Sequence, residues 1–442
     1  MSAHTNNART LAPPTSAQLR SQSKEPRSRV RLKAPIVEYV GLLYIFFTPL
    51  DLISFSVRSP ATIFGALLIA AWILSLFRGQ AHLPRHGWAI GLGVFFVAWS
   101  GLTSSWSVVP GISVSQAVSS AVLLLSAIAI GSVFGTRLRR PAWALLGGAL
   151  VLALSTLVLG GQQVYYIQGT ALLSQQYTFN GIDENALSFH LVLGCAAALF
   201  LLRRRTAPLI KLILVAILAV LVVAVLLVGS RSALASLIGM VLILVLMSVR
   251  RTSALIWAAI AIAGALLPFK VLADSGMIPE RVMTWLSNPV FNDSRSEIIA
   301  LYRGTMGDWF WTGVGTGGDA YYLQAVASSY QNAHSAFWKI WIETGMVGLC
   351  LWLGFLVAIA VIAVRSPDRD FFLLAGVGIV VYFYTLGPVN SNMVWAIFGL
   401  ALGMPALARA SDSSRPGSSS LAKFDDSFHA RVERVRPPTR GT

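Results

Sequence analysis

Three side chains that could bind phosphate or move a proton stand where short polar segments meet apolar runs. Arginine donates paired hydrogen bonds to phosphate oxygens, and histidine titrates near neutral pH and can accept a proton from a hydroxyl group. Each of the three has a serine beside it: Arg231 lies between Ser230 and Ser232, Arg295 follows Ser294, and His334 precedes Ser335. These residue types and positions make Arg231, Arg295 and His334 the candidate catalytic residues.

The local sequence places all three at helix starts. Ser294 and Glu297 have capping-box spacing, so Arg295 is expected in the first turn of a helix, and Ser230 can cap the helix that begins with Arg231. A cation is unfavourable there, because the free N–H groups already carry about half a positive charge. Three such placements favour a bound anion, and phosphate is the natural one. Individually, each residue has a structural alternative: Arg231 could snorkel, Arg295 could pair with Asp293, and His334 could be a hydrogen-bonded structural histidine.

The elements that must position these residues are membrane helices. Of the 442 residues, 55% are hydrophobic and 12% are charged, against about a quarter charged in soluble proteins. This composition excludes a soluble enzyme, a disordered chain and a disulfide scaffold. Apolar runs of about 20 residues can cross a bilayer. They predict an all-α polytopic protein with about twelve transmembrane helices, near 36–56, 61–77, 87–103, 112–133, 142–160, 186–202, 209–228, 232–249, 253–271, 336–364, 371–388 and 393–408.

The charge distribution predicts the orientation of these helices. With a cytoplasmic N-terminus, 27 of the 34 Lys and Arg residues fall in cytoplasmic segments, as the positive-inside rule requires. Both termini are therefore expected in the cytoplasm, with disordered basic tails at 1–35 and 409–442 and a transmembrane catalytic domain at 36–408. The net charge of +16 then reflects topology signals and contacts with membrane lipids, not nucleic-acid binding.

One extracytoplasmic loop, at about 272–335, is far longer than a connection requires, which is typical of a functional loop. It is rich in aromatic residues that could stack on sugar rings or anchor the loop at the membrane interface. Both roles stay open for each of them. We assign to substrate binding the serines that flank the candidate catalytic residues together with nearby cations and aromatics: Ser230, Ser232, Ser335, Lys339, Arg303, Trp309, Trp311 and Tyr321. No acidic cluster with metal-ligand spacing accompanies them.

These motifs resemble those of the bacterial O-antigen ligase and O-antigen polymerase family. His334-Ser335, nine residues and then Gly345-Met346-Val347-Gly348 is similar to the family signature at the start of a membrane helix. The Ser-Arg-Ser stretch at 230–232 and the run from Ser294-Arg295 to the Gly-x-Gly turn at 313–317 resemble two further motifs. The chain departs from the pattern in lacking a Pro before Gly313 and in its long basic tails, which leaves the acceptor open.

The resemblance implies a GT-C-like helical fold and glycan transfer at the outer face of the cytoplasmic membrane. The donor would be a glycan on a polyprenyl diphosphate. The acceptor would be a lipid- or polymer-linked glycan, with no metal, nucleotide sugar or other cofactor. His334 would take the acceptor proton, and Arg231 and Arg295, with Lys339 as a possible third, would stabilise the leaving diphosphate in one inverting displacement. Ligase and polymerase share these motifs, so both readings stay open.

Two other classes of protein, a secondary transporter and a binding or scaffold protein, are alternatives to an enzyme. A secondary transporter places charges near the bilayer midplane, but here the midplane stretches are nearly free of charge and the informative polar residues gather on one face. The pattern favours an enzyme at the membrane surface. A binding or scaffold protein that keeps the fold without chemistry would have the same sequence features, and only an activity assay separates it.

Overall fold

The computed structural model describes residues 36–52, 59–135, 137–166, 173–178, 182–204, 206–248, 294–328, 333–386 and 389–405. The two predicted tails, the ninth predicted helix at 253–271 and the first part of the long loop lie outside these ranges. Side chains at 162–178 and 294–297 are also outside the described part, although the backbone there forms strands and a helix.

The described residues form fourteen α-helices and one hairpin. In chain order they are α1 Ile36–Phe47, continued by a 3-10 helix Thr48–Leu52, α2 Pro60–Phe77, α3 Gly87–Leu102, continued by a 3-10 helix Thr103–Ser105, α4 Pro110–Phe134, α5 Arg139–Leu159, β1 Gly161–Tyr166, β2 Leu173–Thr178, α6 Glu184–Leu202, α7 Pro208–Val228, α8 Arg231–Ser248, α9 Ser294–Gly304, α10 Met306–Trp309, α11 Asp319–Ala327, α12 Ala336–Val364, α13 Arg369–Thr385 and α14 Asn392–Leu402.

Local sequence signals account for many helix starts. Pro60, Pro110 and Pro208 each occupy the first turn of a helix, where the missing N–H has no intrahelical partner to lose. Ser59 accepts a hydrogen bond from Thr62 N, and Asp183 caps α6 by accepting from the backbone of the next turn. Such side chains satisfy N–H groups that the helix itself leaves unpaired.

The chain is a helical membrane protein. Seven of its described helices are long and apolar enough to cross a bilayer: α2, α3 with its 3-10 extension, α4, α5, α6, α7 and α12. Eleven of the twelve predicted segments coincide with helices in the described part. The first and last predicted helices end early. Pro49 lacks a backbone donor, and α1 ends at Phe47. α14 ends at Leu402, with Gly403 as the C-cap and Pro405 two residues further on, and proline is common at that position because it cannot continue a helix.

The interior of the bundle is formed around α6 and α14, whose residues are almost all buried. α6 packs between α5, α7 and α13, and α14 packs against α4. The α4–α14 contact depends on small residues, because a Cβ at Gly399 would lie 2.5 Å from the Ala127 carbonyl oxygen. Glycine at such crossings lets helix backbones approach closely.

The bundle has two chemically different ends. At the "basic end", α4 and α14 finish, and buried Glu38 pairs with Arg140, while Arg204 pairs with Asp368. At the "loop end", α4 and α14 begin, and the described part of the long loop packs there. This loop has a separate apolar cluster, the "loop core", formed by Ile298, Tyr302, Trp309, Val314, Tyr322, Leu323, Ala333 and Ile342.

The β1–β2 hairpin was not predicted. Its strands pair antiparallel, with Gly161 opposite Thr178 and Tyr166 opposite Leu173, and they occupy the predicted loop between the fifth and sixth helices. The two strands are short and do not alter the helical class.

Candidate functional site

Arg231 begins α8, as predicted. Gly229 ends α7 in the left-handed conformation, with φ of 71°, a conformation that only glycine adopts without strain. The Ser230 hydroxyl oxygen then accepts a hydrogen bond from Ala233 N at 3.4 Å and caps α8. Arg231 itself is half-buried. The sharp left-handed turn followed by a serine cap therefore fixes the backbone of Arg231 at a helix start.

Asn185 anchors this helix start, and the sequence predictions did not assign it a role. Its Oδ1 accepts hydrogen bonds from Ser230 Oγ at 2.8 Å and from Ser232 Oγ at 3.2 Å, so both neighbours of Arg231 are tied to the first turn of α6. The two hydroxyls also lie 2.8 Å from each other. The available sequence signal was a polar residue immediately before the predicted helix 186–202, in a loop predicted on the same side of the membrane as the candidate site.

His334 precedes α12 by two residues, in agreement with the predicted position. Its φ is 47°, which is uncommon for a residue other than glycine. The next residue, Ser335, is buried and occupies the N-cap position, but its hydroxyl donates to the Phe383 carbonyl oxygen at 3.5 Å instead of capping α12. The Ser335 contact ties the His334 segment to the last turns of α13.

The Arg231 and His334 segments approach the same end of α13. A small cleft is lined by Ser232 and Ser236 of α8, Phe189 of α6, and Tyr382 of α13. The Phe189 and Tyr382 rings stack with centroids 3.7 Å apart. Because Tyr382 adjoins Phe383, whose carbonyl accepts from Ser335, the start of α8 lines a cleft beside the same turn of α13 that Ser335 contacts.

Arg295 lies in the first turn of α9 by its backbone position, which agrees with the prediction for the helix start. Its side chain lies outside the described part of the structure. The same helix packs onto the loop core through Ile298 and Tyr302. The Tyr302 hydroxyl donates to the Asp319 carbonyl oxygen at 3.0 Å. Burial, reinforced by the charges of Asp319 and Glu343, raises the pKa of Tyr302 far above its ordinary value, so its hydroxyl remains a neutral donor.

The two glycine motifs of the sequence contact each other directly. Gly345 has φ of 68° and ψ of −175° and interrupts α12. Val314 N donates to the Ile342 carbonyl at 2.8 Å and Gly315 N to the Glu343 carbonyl at 2.9 Å. A Cβ at Gly345 would lie 2.1 Å from the Trp311 carbonyl oxygen. The turn at 313–317 therefore packs backbone to backbone on the kink, and this contact requires glycine.

Lys339 lies between two carboxylates. Its Nζ is 2.8 Å from Asp319 Oδ1 and 2.5 Å from Glu343 Oε1, and both acidic side chains are buried. Its positive charge is therefore already balanced within the protein, unlike that expected of a phosphate ligand. Neither acidic residue was among the predicted site residues. Glu343 is nine residues after His334, about two and a half helical turns away, and Asp319 is 20 residues before Lys339.

The predicted sugar-binding residues differ in exposure. Trp309 is fully buried in the loop core, and its Nε1 donates to Thr305 Oγ1 at 3.3 Å, a placement that favours packing. Trp311 is 66% exposed, and Tyr321 is half-buried. Arg303 is exposed and lies over the Trp338 ring, 5.3 Å from its centroid. Trp311 thus has the largest ring surface available to a ligand among these residues.

No protein-family model and no curated protein matches this sequence. A structural match is a chain from a solved peptidoglycan synthase complex that coordinates polymerization and crosslinking. The identity is 21%, the TM-score is 0.39, and the match covers 71% of this chain and 95% of the other. A similarity this low carries no argument about the reaction.

Proposed function

We propose that this protein transfers a glycan from a polyprenyl diphosphate to an acceptor hydroxyl at the outer face of the cytoplasmic membrane, as O-antigen ligases do. The observation that carries the proposal is the convergence of two segments on one turn of α13. One begins α8 with Arg231 and the other precedes α12 with His334. The resemblance of both segments, and of the touching glycine motifs, to the O-antigen ligase and polymerase family supports the same reading.

The proposed reaction is a single displacement at the anomeric carbon. The acceptor oxygen bonds to that carbon as the bond from carbon to the diphosphate oxygen breaks, and the diphosphate leaves with the electron pair. His334 accepts the proton of the acceptor hydroxyl. The Arg231 and Arg295 guanidinium groups donate hydrogen bonds to the leaving diphosphate and stabilise its developing charge. Backside attack inverts the anomeric configuration.

We also propose a membrane arrangement. The protein has twelve spans in a GT-C-like fold and both termini in the cytoplasm, so the loop end lies outside the cell membrane and the basic end lies in the cytoplasm. The ion pairs of Arg140 and Arg204 at the basic end support this orientation, since cytoplasmic segments carry the excess of Lys and Arg. The polyprenyl tail would lie in apolar grooves between helices, while the diphosphate reaches Arg231 at the outer edge.

The test is transfer by single variants in cells that lack the native gene. We expect Arg231→Ala, Arg295→Ala and His334→Ala each to lose at least about 100-fold in transfer, the effect of removing a group that stabilises or activates a transition state. Each variant should remain inserted and abundant. Arg85→Ala is the matched control, because Arg85 is an exposed arginine of the basic end, and its transfer should be unchanged. Normal transfer by all three variants would defeat the proposal.

A second measurement distinguishes ligase from polymerase. Lipid-linked intermediates should be extracted from a deletion strain and sized. Accumulation of full-length chains on the carrier indicates a ligase, which is the primary proposal. Accumulation of single repeat units indicates a polymerase of the same family. An unchanged pool of lipid-linked glycans would contradict both the ligase and the polymerase and would favour the secondary transporter.

A further inference from the structure

The backbone of His334 is held on both sides by contacts outside its own segment. A left-handed φ is unfavourable for a residue other than glycine, so the φ of 47° at His334 needs compensation. On one side, Ala333 N donates to Asp319 Oδ2 at 3.3 Å. On the other, the Ser335 hydroxyl donates to the Phe383 carbonyl. Asp319 therefore contacts the residue immediately before the proposed base.

Asp319 also contacts the helix that follows His334. Its second oxygen, Oδ1, lies 2.8 Å from Lys339 Nζ, and Lys339 N closes the first turn of α12 by donating to the Ser335 carbonyl at 2.8 Å. Asp319, at the start of α11, is 1% exposed. One carboxylate thus joins the residue before His334 to a residue five positions after it. We call this arrangement the Asp319 clamp.

We propose that Asp319 is a positioning residue for His334, and that Lys339 orients Asp319 and does not bind the donor diphosphate. The catalytic part of this inference rests on the proposed function, whereas the clamp itself does not. Glu343 is the second carboxyl group in contact with Lys339, so two buried acidic side chains share one ammonium group. These two contacts oppose binding of another anion by Lys339.

The chemistry of the clamp gives a sharp substitution. Two donors, Ala333 N–H and the Lys339 ammonium group, face the two oxygens of Asp319. Asp319→Asn preserves shape but replaces one oxygen with an NH₂ group, so a donor faces a donor in either orientation of the amide. In the triple variant Asp319→Asn/Lys339→Gln/Glu343→Gln, the amide at 319 can accept from Ala333 N while donating to the carbonyl oxygen of the side chain at 339. The triple variant should restore the contact to Ala333.

The first readout is transfer kinetics with purified protein in lipid nanodiscs and a lipid-linked glycan donor. Asp319→Asn should lower kcat by at least 30-fold and change the donor KM by less than threefold. The triple variant should recover kcat to within about fivefold of the original, a rescue that general destabilisation cannot explain. Asp308→Asn is the control: it makes the same chemical change in the same loop, where Asp308 accepts only from Tyr322 among the described contacts, and it should keep kcat within twofold.

The second readout does not depend on transfer. Diethyl pyrocarbonate carbethoxylates exposed imidazoles, and mass spectrometry can follow His334 with exposed His82 as an internal reference. Asp319→Asn should change the rate at His334 at least threefold and leave His82 unchanged. If the reactivity of His334 changes but neither the original protein nor any variant transfers glycan, the Asp319 clamp is supported and the proposed function is contradicted. Unchanged reactivity of His334 in Asp319→Asn, or loss of kcat without rescue in the triple variant, would overturn the positioning role.

Discussion

Replacing Gly345 with alanine should disrupt the contact between the kink of α12 and the glycine turn at 313–317. The new Cβ would lie 2.1 Å from the Trp311 carbonyl oxygen and 2.5 Å from Thr312 N. Both neighbours are backbone atoms, so a change of side-chain rotamer cannot relieve the overlap. Either the turn moves away from the helix or Gly345 abandons its φ of 68°.

The size of the effect follows from what must be lost. A non-glycine residue in this region of φ and ψ costs about 1–3 kcal/mol. Moving the turn also breaks three backbone hydrogen bonds, from Val314 N, Gly315 N and Met346 N, at 2.8, 2.9 and 2.8 Å, each contributing about 1 kcal/mol. We therefore expect a loss of roughly 4–6 kcal/mol in the free energy of unfolding, a large share of the about 5–15 kcal/mol typical of a folded protein.

The assay is heat resistance of the detergent-solubilised protein, measured as the fraction that remains monodisperse by size-exclusion chromatography. Gly354→Ala is the matched control on the same helix. Its Cβ would meet Leu92 at 3.7 Å, an ordinary van der Waals contact, and alanine is favoured over glycine inside a helix by about 1 kcal/mol. The control should be as stable as the original protein or more so. Equal heat resistance of the two variants would refute this account of the kink.

Three further predictions follow from particular contacts. Asn185→Ala removes the shared acceptor of two hydroxyls and should lower transfer at least 10-fold with a stability loss of about 1–3 kcal/mol, measured by the same chromatography. Trp309→Ala empties a fully buried site and should cost about 3–5 kcal/mol, whereas Trp311→Ala should leave stability unchanged and affect only transfer. Arg140→Ala weakens the pairing of buried Glu38 and should cost about 1–2 kcal/mol, because Arg140 itself is largely exposed.

Each of these predictions can be contradicted by a specific result. Full transfer by Asn185→Ala would mean that the start of α8 needs no anchor on α6. Similar heat resistance of Trp309→Ala and Trp311→Ala would contradict the difference in burial between the two indoles. For Arg140→Ala the comparison is Arg78→Ala, an exposed arginine of the basic end; a stability loss of the same size in both would show that the pairing with Glu38 contributes nothing specific.

The positions of the membrane helices could be predicted because their signal is local. A run of apolar residues about 20 long marks a span wherever it occurs, and proline, serine and aspartate mark the ends. The start of α8 at Arg231 and the turn before α12 at His334 followed from such signals. The strands at 161–166 and 173–178 could not be predicted in the same way, because neither GQQVYY nor LSQQYT shows the regular alternation of polar and apolar residues that marks a strand.

The contacts that assemble the candidate site are long-range and left no comparable signal. Asn185 and Ser230 are 45 residues apart, and Asp319 and Lys339 are 20 apart. From its residue type alone, Lys339 is predicted to bind the substrate. In the structure its ammonium group contacts the carboxylates of Asp319 and Glu343. The glycine turn at 313–317 and the glycine at 345 are each visible as sequence motifs. Their contact with each other could not be predicted, because it depends on the backbone path of the loop between them.

The interruption of α12 at Gly345 divides the helix into a stretch that can cross the membrane and a stretch that packs on the loop. The stretch 346–364 has 19 residues, which at about 1.5 Å per residue can cross the hydrocarbon layer alone. The nine residues from Ala336 to Thr344 are fastened instead to the loop. Tilting of residues 346–364 with bilayer thickness is thus expected to leave the stretch fastened to the loop, and His334 before it, in place.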